Sequence, residues 1–185
     1  MIRIIAGRAK GCRLIPVPSG SAARPTPDRV KEALFNILPS LEGDSFIDLF
    51  AGTGNIGLEA MSRGAGKVFF VENNAAMTVL IKKNIEKCGL TGEFEILPVP
   101  VERAVRNLQK RDIKMDIVFA DPPYERGWIG KTINALKSGE LFSDRALMIL
   151  QHSMREPLPD EMGLLEPVDQ RKYGDTIISI LVIRL

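Results

Sequence analysis

Met115-Asp116-Ile117-Val118-Phe119-Ala120-Asp121-Pro122-Pro123-Tyr124 runs from an apolar stretch into an abrupt stop. The first six residues predict a buried parallel strand. Pro122 and Pro123 end it, because neither has a backbone N–H and each drives the residue before it into an extended conformation. Asp121 and Pro122 are therefore stiff and present acceptors only, a carboxylate and a carbonyl. Two acceptors side by side suit a group with two N–H bonds, such as the exocyclic amine of a base. Tyr124 adds a flat face for stacking. For this stretch alone, a strand-terminating loop with a buried aromatic is the plainer alternative.

Working outward, strands and helices alternate. Strands are expected at Ser45–Phe50, Lys67–Glu72, Phe94–Val99, Met115–Ala120 and Ala146–Gln151. Between them, helical patterns cover Asn55–Arg63, Asn74–Cys88, Val101–Lys110 and a segment near Trp128–Lys137. That alternation predicts a doubly wound α/β sheet. The pattern then changes to two strands, about Leu164–Lys172 and Thr176–Leu185, around the turn Tyr173-Gly174-Asp175. They are expected to pair as an antiparallel hairpin at the sheet edge. No internal repeat is present, and residues 1–185 read as a single domain.

The N-terminal part, within residues 1–20, reads as a β-hairpin extension of that domain. Met1–Ala6 and Arg13–Val17 are β-prone, and Gly7-Arg8-Ala9-Lys10-Gly11 forms a basic turn between them. A Pro/Ser/Gly/Arg linker follows. A helix then starts with Thr26 as N-cap, Pro27 at the first position and Asp28 at the positive end. Its apolar stripe is Val30, Ala33, Leu34, Ile37 and Leu38, and Pro39 stops it. Arg24, Thr26, Arg29 and Lys31 are placed before or along this helix, where they are expected to face a ligand.

Asp48-Leu49-Phe50-Ala51-Gly52-Thr53-Gly54-Asn55-Ile56-Gly57 ends the first strand and opens a helix, and its glycines satisfy G-x-G-x-x-G. Alone, the loop fits any nucleotide-like ligand that needs a close backbone approach. Glu72, with Asn73 beside it, ends the second strand and suits the two hydroxyls of a ribose. Asp48 suits a cationic amino-acid group better than a pyrophosphate, and nothing supplies a hydride-transfer site. With the amine-binding geometry of Asp121–Tyr124, the coherent cofactor is S-adenosyl-L-methionine and the coherent reaction is methyl transfer to an amine.

Charge points to the acceptor. Residues 1–31 carry seven basic side chains (Arg3, Arg8, Lys10, Arg13, Arg24, Arg29, Lys31) against Asp28 alone, and the remainder holds 18 basic and 22 acidic residues. A basic segment on a mildly acidic body predicts a polyanion contact. No apolar run reaches transmembrane length and no signal-peptide pattern is present, so a cytoplasmic protein without a membrane partner is expected. Cys12 and Cys88 lack metal-ligand spacing and His152 is the only histidine. A structural zinc is thereby excluded, and both cysteines are expected to be reduced thiols. His152 is expected to be structural, Trp128 to pack its helix, and Lys82, Lys83 and Lys87 to form a wet helix face.

Together these residues resemble the class I AdoMet-dependent amino-methyltransferases that carry (Asn/Asp)-Pro-Pro-(Tyr/Phe). Arg-Ile-Ile-Ala-Gly at 3–7, Arg24-Pro25-Thr26, Asp28–Asn36, Asp48–Gly54 and Tyr173-Gly174-Asp175-Thr176 are similar to the RsmD family, bacterial 16S rRNA guanine-N2 methyltransferases. The resemblance implies a Rossmann-like seven-stranded, mostly parallel sheet with an antiparallel last strand, plus an RNA-gripping hairpin. It implies a cofactor site from Arg24, Thr26, Asp48, Phe50, Gly52, Thr53, Gly54, Glu72, Asn73, Glu102 and Asp121. Asp121, Pro122, Pro123 and Tyr124 would hold the target base, and Arg3, Arg8, Lys10, Arg13 and Arg126 the RNA. The expected partner is 16S rRNA, in the small subunit or an assembly intermediate, met by a monomer. Two positions depart from the pattern. Pro100 stands where relatives carry an Asp or Asn toward the adenine amine, leaving Glu102 or a backbone group for that contact. The fifth strand ends Leu150-Gln151-His152 where many relatives have an acidic residue. DNA or protein amine acceptors, a non-catalytic AdoMet-fold RNA-binding module and a nicotinamide-dependent reductase are the rival readings.

Overall fold

The computed structural model describes residues 2–17 and 28–184. The chain forms two compact units, residues 1–98 and 99–185.

In the first unit, three strands make a parallel ladder in the order β3-β2-β1: β1 (Ser45–Asp48), β2 (Lys67–Val71) and β3 (Glu93–Leu97). Phe46 and Ile47 of β1 and Phe69 and Phe70 of β2 are fully buried, as expected for parallel strands covered on both faces. Helix α1 spans Asp28–Ile37, α2 spans Asn55–Ser62 and α3 spans Ala75–Lys87. Every residue of α2 is buried. Gly57 lets it lie close to the sheet, since a Cβ there would meet the Phe70 ring at 2.3 Å. Asn74 caps α3 by accepting from the Ala76 and Met77 amides.

The N-terminal hairpin is narrower than its β-propensity predicts. Its β pairing reduces to one antiparallel bridge, Arg3–Arg13, flanked by Ile4 N to Cys12 O at 2.9 Å and Leu14 N to Ile2 O at 3.0 Å. Four other backbone donors turn instead to polar side chains of the helices. Glu59 Oε2 accepts from Ile5 N at 2.8 Å and Glu59 Oε1 from Ala6 N at 3.0 Å. Asn84 Oδ1 accepts from Ile15 N at 2.8 Å, and Ser62 Oγ from Ala9 N at 2.9 Å. Gly7, at φ 78°, passes so close to Ser62 that no side chain fits.

Two expectations are corrected here. Lys31 does not face a ligand. It is fully buried and ion-paired to Glu59 at 3.2 Å, with Asn55 Oδ1 at 2.8 Å. Cys12 and Cys88 are not thiols but a disulfide, with Cα atoms 5.6 Å apart. Seventy-six residues separate them in sequence, and only the docking of the hairpin against the end of α3 brings them together. Arg24 and Thr26, with the predicted N-cap, lie outside the described residues.

The second unit carries β4 (Met115–Ala120), β5 (Phe142–Ser153), β6 (Leu165–Tyr173) and β7 (Thr176–Ile183), in the order β4-β5-β7-β6. β4 and β5 are parallel, and β7 runs antiparallel to both β5 and β6. The last strand is thus the antiparallel one, inserted between β5 and the edge strand β6. Helices α4 (Val101–Lys110) and α5 (Trp128–Leu136) complete the unit. β5 is twelve residues long, longer than its apolar core predicts, because pairing with β7 continues through Ser153. No helix among the described residues is long and apolar enough to cross a membrane.

Candidate active site

The first unit presents a loop shaped for a nucleoside. After β1 the chain turns through Gly52 (φ 52°) and Gly54 (φ 83°), left-handed conformations that favour glycine. Gly54 is the N-cap of α2 and has no side chain to satisfy the helix amides. Asp48 does this from beneath. It is 1% exposed, its Oδ2 accepts from Gly57 N at 3.2 Å, and its Oδ1 lies 3.4 Å from Phe50 N. A carboxylate at the positive end of α2 also stabilises the helix dipole.

Glu72 fixes the other side of the loop. Its Oε2 accepts from Gly52 N at 2.8 Å and its Oε1 from Asn74 N at 2.7 Å. The carboxylate that the sequence reserves for a ribose is therefore held in one orientation by two amides, with lone pairs left on both oxygens. A Cβ on Gly52 would meet nothing within 4 Å, so the crest of the loop opens on space that a nucleoside can fill. Phe50 is half-buried, Thr53 is buried and Asn73 is exposed. Asn84, which the sequence analysis does not single out, holds Thr53 O through Nδ2 at 3.1 Å and the hairpin through Oδ1. Hairpin and glycine loop share one buried carboxamide.

The second unit carries the acceptor end. Pro122 is buried, Asp121 half-buried, and Pro123 and Tyr124 exposed. Gln151, at the end of β5, lies beside Asp121 because Ala120 pairs with Leu150. Its Nε2 donates to Asp121 Oδ2 at 3.0 Å and to Tyr124 Oη at 3.2 Å. Burial first, and then the Asp121 charge, push the Tyr124 phenol above its usual range, so it stays protonated. Gln151 Nε2 bridges the Asp121 carboxylate and the Tyr124 hydroxyl. Gln151 thus orients the motif's carboxylate.

Glu102 lies half-buried in the first turn of α4, whose N-cap is Pro100. The Pro100 carbonyl accepts from Arg103 N and Ala104 N, both at 3.0 Å, so it serves the helix. Arg3, Arg8, Lys10, Arg13 and Arg126 are all exposed; Arg3 pairs with Asp28 at 2.9 Å. His152 is structural, 1% exposed, with Nε2 on Ser179 Oγ at 2.8 Å and Nδ1 on Glu156 O at 3.0 Å. Lys82, Lys83 and Lys87 are exposed, as a wet face requires.

Residues 2–182 match the family described as "Conserved hypothetical protein 95". Ribosomal RNA small subunit methyltransferase D of Escherichia coli is 36% identical over 159 residues, 85% of this chain and 78% of that protein. The chain belongs to the RsmD family. A candidate rRNA methyltransferase of Bacillus subtilis is 31% identical over 180 residues, 97% of each chain. Among solved structures, a candidate methyltransferase of Escherichia coli superposes with a TM-score of 0.84 at 30% identity, covering 97% of this chain and 96% of that one. The Rossmann-like, seven-stranded, mostly parallel sheet expected of an RsmD protein is the one present.

Proposed function

We propose that this RsmD-family chain transfers the methyl group of S-adenosyl-L-methionine to the exocyclic N2 amine of a guanine in small-subunit rRNA. The observation that carries the reading is the bridge from Gln151 to Asp121 and Tyr124 at the end of β4. It presents an oriented carboxylate next to a proline carbonyl, with an aromatic face beside it. The family membership and the names of the relatives support rRNA as the polymer.

When bound, the cofactor supplies a methyl group on a positively charged sulfur. Glu72 holds the ribose hydroxyls on the lone pairs it has left, and the Gly52–Gly54 backbone passes close to the nucleoside. Asp48 keeps the loop and the start of α2 in register. Phe50, Thr53 and Asn73 are the first unit's further cofactor contacts, and Glu102, Arg24 and Thr26 are the contacts that the family resemblance adds. Asp121 and the Pro122 carbonyl each accept one N–H of the amine. This orients the nitrogen and turns its lone pair out of conjugation with the ring. Rate then comes from position and electrostatics. The proton leaves after transfer, when the nitrogen has become acidic, and Asp121 Oδ is the base in reach. Tyr124 stacks on a base taken out of its helix, worth about 1–3 kcal/mol. Arg3, Arg8, Lys10, Arg13 and Arg126 contact phosphates. The enzyme acts as a monomer in the cytoplasm, on the subunit or an assembly intermediate.

The test is transfer of labelled methyl from S-adenosyl-L-methionine to small subunits from cells lacking this protein, with digested nucleosides identified by mass. N2-methylguanosine at one position is the expected product. Asp121→Ala is expected to bind the cofactor and to lose on the order of 10²–10³ in turnover. Undiminished turnover would remove Asp121 from the mechanism.

A further inference from the structure

The Gln151 carboxamide is used at one end only. Both hydrogens of Nε2 are engaged, one by Asp121 Oδ2 at 3.0 Å and one by Tyr124 Oη at 3.2 Å. Since an ionised carboxylate only accepts, the amide cannot be turned round, and Oε1 takes no part in the contact with Asp121. That oxygen is buried and has no hydrogen-bond partner among the described residues, in a side chain only 4% exposed. Asn55 Nδ2 and Thr132 Oγ1 are also orphaned, but of the three only Gln151 Oε1 belongs to a group bonded to Asp121. By contrast, the buried carboxamide of Asn84 is used at both ends. A buried acceptor left without a donor is where a ligand's N–H is to be expected.

Base chemistry says which N–H this is. Guanine, adenine and cytosine all carry an exocyclic amine, so Asp121 and the Pro122 carbonyl alone accept all three. They differ at the adjacent ring nitrogen, which is N–H in guanine and a bare lone pair in adenine and cytosine. Resting on the reading of Asp121 as acceptor of the guanine amine, we propose that Gln151 Oε1 accepts guanine N1–H and so selects guanine among the amine-bearing bases. An adenine or cytosine would set a lone pair against the carboxamide oxygen and leave that oxygen unpaired. Because Oε1 is shielded from solvent, a neighbour has to turn aside as the base enters. Tyr124, 38% exposed, rests its hydroxyl on the neighbouring Nε2.

The experiment uses 2-aminopurine, which keeps the 2-amine of guanine but has a bare N1. Small-subunit rRNA carrying guanine or 2-aminopurine at the methylated position is assembled with small-subunit proteins, and single-turnover transfer is measured on both. The unsubstituted enzyme is expected to prefer guanine by roughly 10–100-fold. Gln151→Met removes the acceptor, and the ratio is expected to fall to near one. Gln151→Glu keeps an oxygen there and is expected to keep the preference. Any contribution of the guanine O6 cancels, because the readout is the change in ratio between enzymes. Equal slowing of Gln151→Met on both bases would overturn the inference, leaving Gln151 as a prop for Asp121. Should Gln151→Met fail to fold, as judged by its melting curve, Gln151→Ala is measured on the same two RNAs. On the guanine-bearing RNA, a methyl group found on a nucleoside other than guanosine would instead overturn the base reading beneath it, and the product mass tells the two failures apart.

Discussion

Replacing Glu59 by Met should be among the most damaging substitutions in the chain, although Glu59 lies on α2 away from the reacting groups. Its carboxylate has four partners. Oε2 holds Ile5 N at 2.8 Å and Lys31 Nζ at 3.2 Å, and Oε1 holds Ala6 N at 3.0 Å and Arg63 Nε at 2.9 Å. The Lys31 and Glu59 side chains are both 0% exposed. Glu59→Met strands the buried ammonium, which costs about 3–5 kcal/mol, and orphans two hairpin amides at about 1–3 kcal/mol each. Those losses overlap, because a hairpin that lifts off gives its amides and Lys31 back to water. About 4–5 kcal/mol in total is the expected result. Lys31→Met leaves Glu59 with Arg63 and both amides but takes a donor from Asn55 Oδ1 and the Arg3 carbonyl, so about 2–3 kcal/mol is expected, less than for Glu59→Met. Urea unfolding followed by circular dichroism checks this. At a slope of about 2–3 kcal/mol per molar, the Glu59→Met midpoint should fall by roughly 1.5–2 M. Equal costs for the two variants would refute the reasoning, since it rests on the asymmetry of what each side chain leaves behind. The pH dependence adds a second readout. Burial holds the Lys31 ammonium below its usual range, against the pull of Glu59. Between the folded value and the ordinary value near about 10.4, the unfolded chain binds the extra proton, so stability rises with pH in that window. The stability of the unsubstituted protein relative to Lys31→Met should therefore be flat below the folded value and improve above it.

Two helical glycines should respond with opposite signs. Gly57→Ala drives a Cβ to 2.3 Å from the Phe70 ring and should cost about 1–3 kcal/mol, whereas Gly130→Ala in α5 meets nothing within 4 Å and should gain about 0.5–1 kcal/mol; matching thermal shifts would contradict the packing. Reducing the Cys12–Cys88 bond, which closes a loop of 76 residues, removes up to about 4.5 kcal/mol and should lower the melting point by about 5–15 °C. An unchanged melting point in dithiothreitol would show that the hairpin's polar contacts to Glu59, Ser62 and Asn84 suffice to hold it. Reversing Arg8 and Lys10 to Glu, both exposed in the hairpin turn, should reduce the salt slope of rRNA binding by about 1.4–1.8; an unaltered slope would leave these charges without a phosphate.

The chain's alternating pattern decided its fold, because strand and helix leave different hydrophobic periods and each is a local property. Met115–Ala120 and Val101–Lys110 fall where periodicity places them, to the residue. The glycine loop and Asp121–Tyr124 were legible for the same reason. Positive φ, missing amides and a carboxylate after a strand are written into neighbouring residues. Long-range polar pairing was not legible. Lys31 looks like a ligand contact until α1 docks against Glu59. Cys12 and Cys88 look like thiols until the hairpin closes over the end of α3. Gln151 looks like a lapse from an acidic pattern until the parallel register of β4 and β5 sets it beside Asp121. A buried polar side chain takes its meaning from the partner that satisfies it. That partner lies 28 residues away for Lys31, 76 for Cys12 and 30 for Gln151, distances that only tertiary packing closes.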